Sequence, residues 1–133
     1  MSRDFGALLR FLAERARMPF AGYAEHECCA LLAADAVRAQ TGVDPLGDLR
    51  GRWRTAHGAE RLLKRLGGLE AAVTARLGPP IAPAAAMRGD VGLIEGERRR
   101  QLVIVEGGLL AGPSASGLQR LPRTRLVTAW SAG

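Results

Sequence analysis

Apolar residues recur with the helical period through the first half of the chain, and after Pro83 they gather into short runs with the character of strands. Phe5, Leu8, Leu9 and Leu12 form the apolar stripe of a first helix. Asp4 stands where it can cap that helix, and Arg10, Glu14 and Arg17 lie on its other faces. Pro19 ends it, and Gly22-Tyr23 marks a turn. A second helix is predicted from about Glu25 to Gln40, closed by Gly42, with an inward stripe of Cys28 or Cys29, Leu32, Ala36 and Ala39. A loop through Asp44, Pro45 and Gly51 follows, and Trp53 is its expected anchor to the core. A third helix is predicted from about Gly58 to Leu66, stopped by Gly67-Gly68. A fourth runs from Leu69 to Leu77, stopped by Gly78-Pro79-Pro80.

Beyond the Ala-Pro connector at Ala82 to Ala86, the pattern predicts strands at Val91 to Glu95, Gln101 to Glu106, Leu109 to Ala111, Leu118 to Leu121 and Leu126 to Trp130. The polar stretch from Gly96 to Arg100 fits a hairpin turn with a solvated arginine tip. Helices first and antiparallel strands afterwards predict an α+β domain, with N-terminal helices packed on a C-terminal antiparallel sheet. A chain of 133 residues is read as one domain, 1–133, its helical part at about 3–78 and its strand part at about 87–131.

Composition narrows the function classes. Hydrophobic residues at 47% and charged residues at 24% describe a folding chain rather than a disordered one. The formal net charge of +6 invites a nucleic-acid partner. The basic residues nevertheless read as scattered, with Arg98-Arg99-Arg100 the one run, and aromatic residues make up only 5%, too few for a stacking platform. No nucleic-acid partner is expected. Arginine also pairs bidentately with carboxylates, so an acidic protein assembly suits the same composition. Cys28 and Cys29 are neighbours and cannot close a long loop, so reduced thiols are expected. Neither a secretory segment nor a membrane span of about eighteen apolar residues is evident.

The candidate chemistry is His26-Glu27-Cys28-Cys29 at the head of the second helix. A cysteine in the first helical turn meets unpaired backbone N–H groups and the positive end of the dipole, which favour a nucleophilic thiolate. A small buried thiol at the same place is the alternative. Catalysis also requires a base and a group that orients it. The chain offers only His26 and His57 as imidazoles. His26 is two residues from Cys28, a spacing that does not face it on a helix. His57 lies in the connector before the third helix. A zinc site from His26, Cys28, Cys29 and His57 lacks the usual ligand spacing, so no metal and no cofactor is expected.

The order of helix, Pro19-Phe20, Gly/aromatic turn, His26-Glu27-Cys28, helix to Thr41-Gly42, Arg88-Gly89-Asp90-Val91 and the strand from Gln101 to Gly107 resembles NlpC-like cysteine peptidases of the papain-like class. It is more similar still to a small NlpC-related family of unknown function in tailed phages and prophages. That resemblance spans Asp4 to Trp130. It places Cys28 at the nucleophile position, Gly89-Asp90 at the start of the first core strand, and Gln101 where the peptidases carry their histidine. An amide takes up no proton near neutral pH, so Gln101 cannot act as a base. Glu27 stands for the family's Asp, and Gly22-Tyr23 inverts its aromatic-glycine turn.

The resemblance therefore implies a pseudo-peptidase in which Cys28 and Gln101 are vestigial positions and His26 and His57 are weak alternatives. It implies a structural or assembly protein of a phage tail tip or baseplate hub, made in the host cytoplasm. Its partners would be hub and distal tail proteins. The alternative is an active peptidoglycan-cleaving cysteine peptidase or amidase that uses Cys28.

Overall fold

The structure is a computed structural model that describes residues 3–17, 25–49, 51–53, 55–96, 99–114 and 117–133; for residues 25–29 and 56 it describes the backbone alone. Pro19-Phe20, Gly22-Tyr23 and Arg98 lie outside the described residues. Those described form four helices, α1 (Phe5–Ala16), α2 (Glu25–Thr41), α3 (Ala56–Arg65) and α4 (Leu69–Leu77). Five strands follow, β1 (Val91–Glu95), β2 (Arg100–Val105), β3 (Leu109–Ser114), β4 (Gly117–Pro122) and β5 (Thr128–Trp130), in one antiparallel sheet ordered β4-β3-β2-β1-β5. This is the α+β arrangement, with helices N-terminal and strands C-terminal.

Local chemistry accounts for the helix limits. The Asp4 carboxylate accepts from the Ala7 N–H at 2.9 Å and caps α1, and the Thr55 hydroxyl accepts from the Gly58 N–H at 3.0 Å and caps α3. Gly42, at φ +79°, turns the chain out of α2 while its N–H still donates to the Arg38 carbonyl at 2.8 Å.

The sheet is buried on both faces, which explains why its central strands read as nearly continuous apolar runs. Val91, Leu93, Leu102, Ile104, Ala111 and Trp130 face Leu8 and Leu12 of α1 and Ala33, Ala36 and Val37 of α2. Ile94, Val103, Val105, Leu110 and Ala129 face the opposite way, against Ile81, Ala86, Leu121 and Leu126. Helix α4 closes one side, where Trp130 donates its indole N–H to the Thr74 hydroxyl at 3.0 Å.

Several expectations change. Phe5 and Leu9 are 40% and 54% exposed, because α1 meets the core along Leu8, Phe11 and Leu12. Ala39 is only half-buried, and α2 instead buries Ala33, Ala34 and Val37 beside Leu32 and Ala36, since it is covered on several sides. Trp53 is half-buried, and the indole in the core is that of Trp130. The arginine tip is solvated yet paired: Arg99 binds Glu60 of α3, and Arg100 binds Glu70 of α4 and Glu95. Nor are the cations uniformly scattered, because α3 collects Arg61, Lys64 and Arg65 on exposed positions.

The two buried polar side chains in the described core, Asp90 and Gln40, sit together at the start of β1. Asp90 Oδ2 accepts from the Met87 N–H at 2.7 Å. Its Oδ1 accepts from the Ala132 N–H at 3.1 Å and from the Arg3 guanidinium at 2.6 Å. Arg3 also donates to the carbonyl of Arg88 at 3.0 Å and to the Ser131 hydroxyl at 3.0 Å. Gln40 donates through Nε2 to the carbonyls of Ala36 at 3.0 Å and Gly89 at 2.9 Å. Gly89 has φ +91°, and a Cβ there would collide with the Gln40 amide.

Removing one partner of a buried ion pair leaves the other charge uncompensated. Asp90→Ala is therefore expected to lower the unfolding free energy by about 3 kcal/mol, read as a lower urea midpoint at unchanged slope. A loss no greater than that of an exposed ion pair would show that the pair does not carry this junction.

Candidate functional site

The backbone of His26-Glu27-Cys28-Cys29 forms the first turn of α2, so Cys28 is set at the end of the helix where N–H groups are unpaired. The side chains of His26, Glu27, Cys28 and Cys29 lie outside the described residues. Helix α2 runs from this head against β2 and β3, anchored by Leu32, Ala33, Ala36 and Val37, all at most 4% exposed. The helix thus lies on one face of the sheet.

Gln101 lies on the other. It pairs with Ile94 across β1 and β2, and in a strand its side chain points opposite to that of Leu102, which packs on the helix layer. Its amide reaches over β3, with Nε2 3.3 Å from the place a Cβ would occupy on Gly112, beside the Val103 methyl groups. Gln101, which the resemblance places at the peptidases' histidine position, thus stands on the face of the sheet away from α2. The neighbours of Gln101 that do face the helices are Leu102, buried, and Arg100, which pairs with Glu70 and Glu95.

His57 is exposed in the first turn of α3. At about 100° per residue it stands roughly 200° from Ala59, the residue that α3 buries, and so points to solvent. Asp90 is no substitute base, because both its oxygens accept from the three donors named above. Of the described candidates, Gln101 lies across the sheet from α2 and His57 is exposed on α3. Among the described residues no group of three or more His, Cys, Asp or Glu side chains could hold a metal ion. No helix among them is long and apolar enough to cross a membrane.

An apolar cleft of about 50 Å3 lies between α2, α4 and the 45–46 loop, its lining including Ala30, Ala34, Val37, Leu69, Val73 and Leu102. Arg76 stands in its wall and donates to the Pro45 carbonyl at 3.2 Å and to Asp48 at 2.5 Å. The hydrogen bond from Arg76 holds the Asp48 carboxyl below its ordinary value of 3.8. The cleft offers no acid, base or nucleophile among these residues. It is smaller than the several hundred Å3 typical of sites for drug-sized ligands.

Sequence reasoning missed Arg3 and Gln40, which shape this end of the molecule. The signal available for them was Gly89-Asp90, an acidic residue at the start of an otherwise apolar run, which demands a buried partner.

Two outcomes follow from these positions. Gln101→His is expected to leave the Cys28 thiol no more reactive toward iodoacetamide at pH 7 than the unsubstituted chain, because the imidazole would lie beyond the sheet. A histidine-dependent rise in alkylation rate would overturn that placement. For Asp48 the folded carboxyl ionises more readily than the unfolded one, so its pairing with Arg76 stabilises the fold above about pH 4 and is lost as the pH falls further. Urea unfolding should accordingly show a small difference between Asp48→Asn and the unsubstituted chain that is constant from about pH 5 to 7 and shrinks below about pH 4.

No curated protein matches the chain. A family model described as a domain of unknown function, DUF6950, matches residues 4–132, from the cap of α1 to the residue that donates to Asp90. The chain belongs to the DUF6950 family.

Proposed function

We propose that this protein is a structural or assembly component of the tail tip or baseplate hub of a phage-like particle, built on an NlpC-like fold that has lost peptidase chemistry. The observation that carries the non-enzymatic part is the separation of Gln101 from the helix layer by the sheet itself. An imidazole-bearing strand facing a cysteine at a helix head is what the peptidase needs, and here the strand presents Arg100 and Leu102 on that side. His57 on the outer face of α3 supports the same reading. The α+β layout, with Cys28 in the first turn of a helix that packs on an antiparallel sheet, supports descent from such a fold. Assignment to a tail rests on the resemblance in motif order from Asp4 to Trp130. Hub and distal tail proteins are the partners that this reading names.

The test has two arms. Purified protein and a Cys28→Ala control are incubated with purified peptidoglycan, and soluble fragments are quantified. Equal inactivity is expected, whereas release that depends on Cys28 would establish the peptidase reading instead. In the second arm, particles from a producing strain are banded on a density gradient and probed for the chain, and assembly is scored when its gene is deleted. Co-sedimentation or a loss of intact tails is expected. Absence from the particles together with normal tails in the deletion would overturn the tail role.

A further inference from the structure

The outer face of α3 is a cationic stripe that the rest of the described molecule does not neutralise. Arg61, Lys64 and Arg65 carry its charge, with the polar His57 a turn earlier on the same face, and all four are exposed. They lie opposite Ala59, which is 5% exposed, and the half-buried Leu62, Leu63 and Leu66. At 1.5 Å per residue the stripe is about 12 Å long.

Several acidic side chains elsewhere are engaged. Asp90 pairs with Arg3, Asp48 with Arg76, Glu70 and Glu95 with Arg100, and Glu106 with Arg120. Glu60, on the flank of α3, pairs with Arg99. Among the described residues Arg61, Lys64 and Arg65 have no carboxylate partner. Lys64 and Arg65 complement the negative end of the helix dipole, which is reason enough for a cation in the last turn. Arg61 lies a turn earlier and gains little from it.

We propose that this face of α3 docks on an acidic, carboxylate-rich surface of a partner protein. Guanidinium groups pair bidentately with carboxylates and are weakly hydrated, so two arginines and a lysine one turn apart suit a compact acidic patch. The face is short, and α3 carries no Phe, Tyr or Trp on which a base could stack, which disfavours a nucleic-acid strand. The Glu60–Arg99 pair on its flank presents one carboxylate and one guanidinium, an edge suited to interleaving with side chains of both signs. Thr55 caps the helix and Ala59 is buried beneath it, so the cations are displayed on an anchored element.

The probe is a fluorescently labelled oligoglutamate, read by anisotropy against the full chain at about 0.05 and 0.15 M salt. The triple variant Arg61→Gln, Lys64→Gln, Arg65→Gln is compared with Arg10→Gln, Arg17→Gln, Arg38→Gln, which removes the same charge from exposed positions on α1, its C-terminal end and α2. Weakening by about tenfold is expected for the α3 triple and by less than about twofold for the control. Circular dichroism melts verify that each variant is folded. Should the α3 triple fail to fold, Arg61→Gln alone is expected to weaken binding about threefold. Equal losses in the two triples would reduce the effect to net charge and overturn the proposal. So would no binding to oligoglutamate by the unsubstituted chain, or tighter α3-dependent binding to a DNA duplex or to phosphatidylglycerol vesicles.

Discussion

The buried carboxylate of Asp90 is the point to which the two ends of the chain are tied. Arg3, just ahead of α1, pairs with it, and the N–H of Ala132, the penultimate residue, donates to the same oxygen. The Asp90 carbonyl accepts from Val105 of β2, and the preceding Gly89 donates to the Val105 carbonyl and accepts from Gln40 near the end of α2. Segments distant in sequence thus meet within two residues. A charge at 1% exposure is costly to desolvate, and its cost is offset only while all three donors remain in place. The same requirement specifies the register of β1 against β2, because a slip by one residue would take the carboxylate away from Arg3 and bring an apolar side chain to it. Gln40 completes the junction. Its Oε1 has no conventional donor, and it lies over the position where Gly89 carries a hydrogen in place of a side chain, a C–H contact of the weak kind.

Once that register is set, strand alternation decides which residues can meet the helices. Leu102 and Ile104 are turned to α2, so Gln101, Val103 and Val105 are turned away. Side-chain period in a strand is two, and no rotamer of residue 101 can cross the sheet. The chemistry available near the head of α2 is therefore limited by backbone geometry before the identity of residue 101 matters. An imidazole substituted at position 101 would still stand on the far face of the sheet.

Much of the fold was legible in the chain. The periods of Leu69, Val73 and Leu77 and of Val91 to Glu95 led to element limits that match those observed. Capping residues and glycines set ends correctly where the signal is local, as Asp4 and Gly42 show. What was not legible depends on partners distant in sequence. Phe5 and Leu9 have the same periodicity as Leu8 and Leu12, and only the placing of α1 decides which pair is covered. Trp53 and Trp130 are equally apolar as residues, yet only Trp130 continues a strand into the core and finds Thr74 for its N–H. The face of residue 101 was not legible because Leu102 to Val105 are apolar at four successive positions, and a strand buried on both sides has no polar alternation to reveal its parity.

Charge shows the same dependence on three-dimensional context. Read along the chain, eighteen arginines and one lysine are dispersed. Folded, those among the described residues divide into arginines held by carboxylates and carbonyls and cations left exposed. Arg3, Arg76 and Arg123 turn inward to satisfy carboxylates and carbonyls, with Arg123 bridging Pro83 and Gly107 to hold the connector against the β2–β3 turn. Arg100 and Arg120 join neighbouring elements across the surface. Satisfying an orphaned carbonyl or carboxylate stabilises the fold, while exposed like charges gathered on α3 repel one another, offset in part by the favourable place of Lys64 and Arg65 at the helix C-terminus. Arginines held by carboxylates and carbonyls and cations left exposed on α3 form two populations, and the second is the one available to a partner.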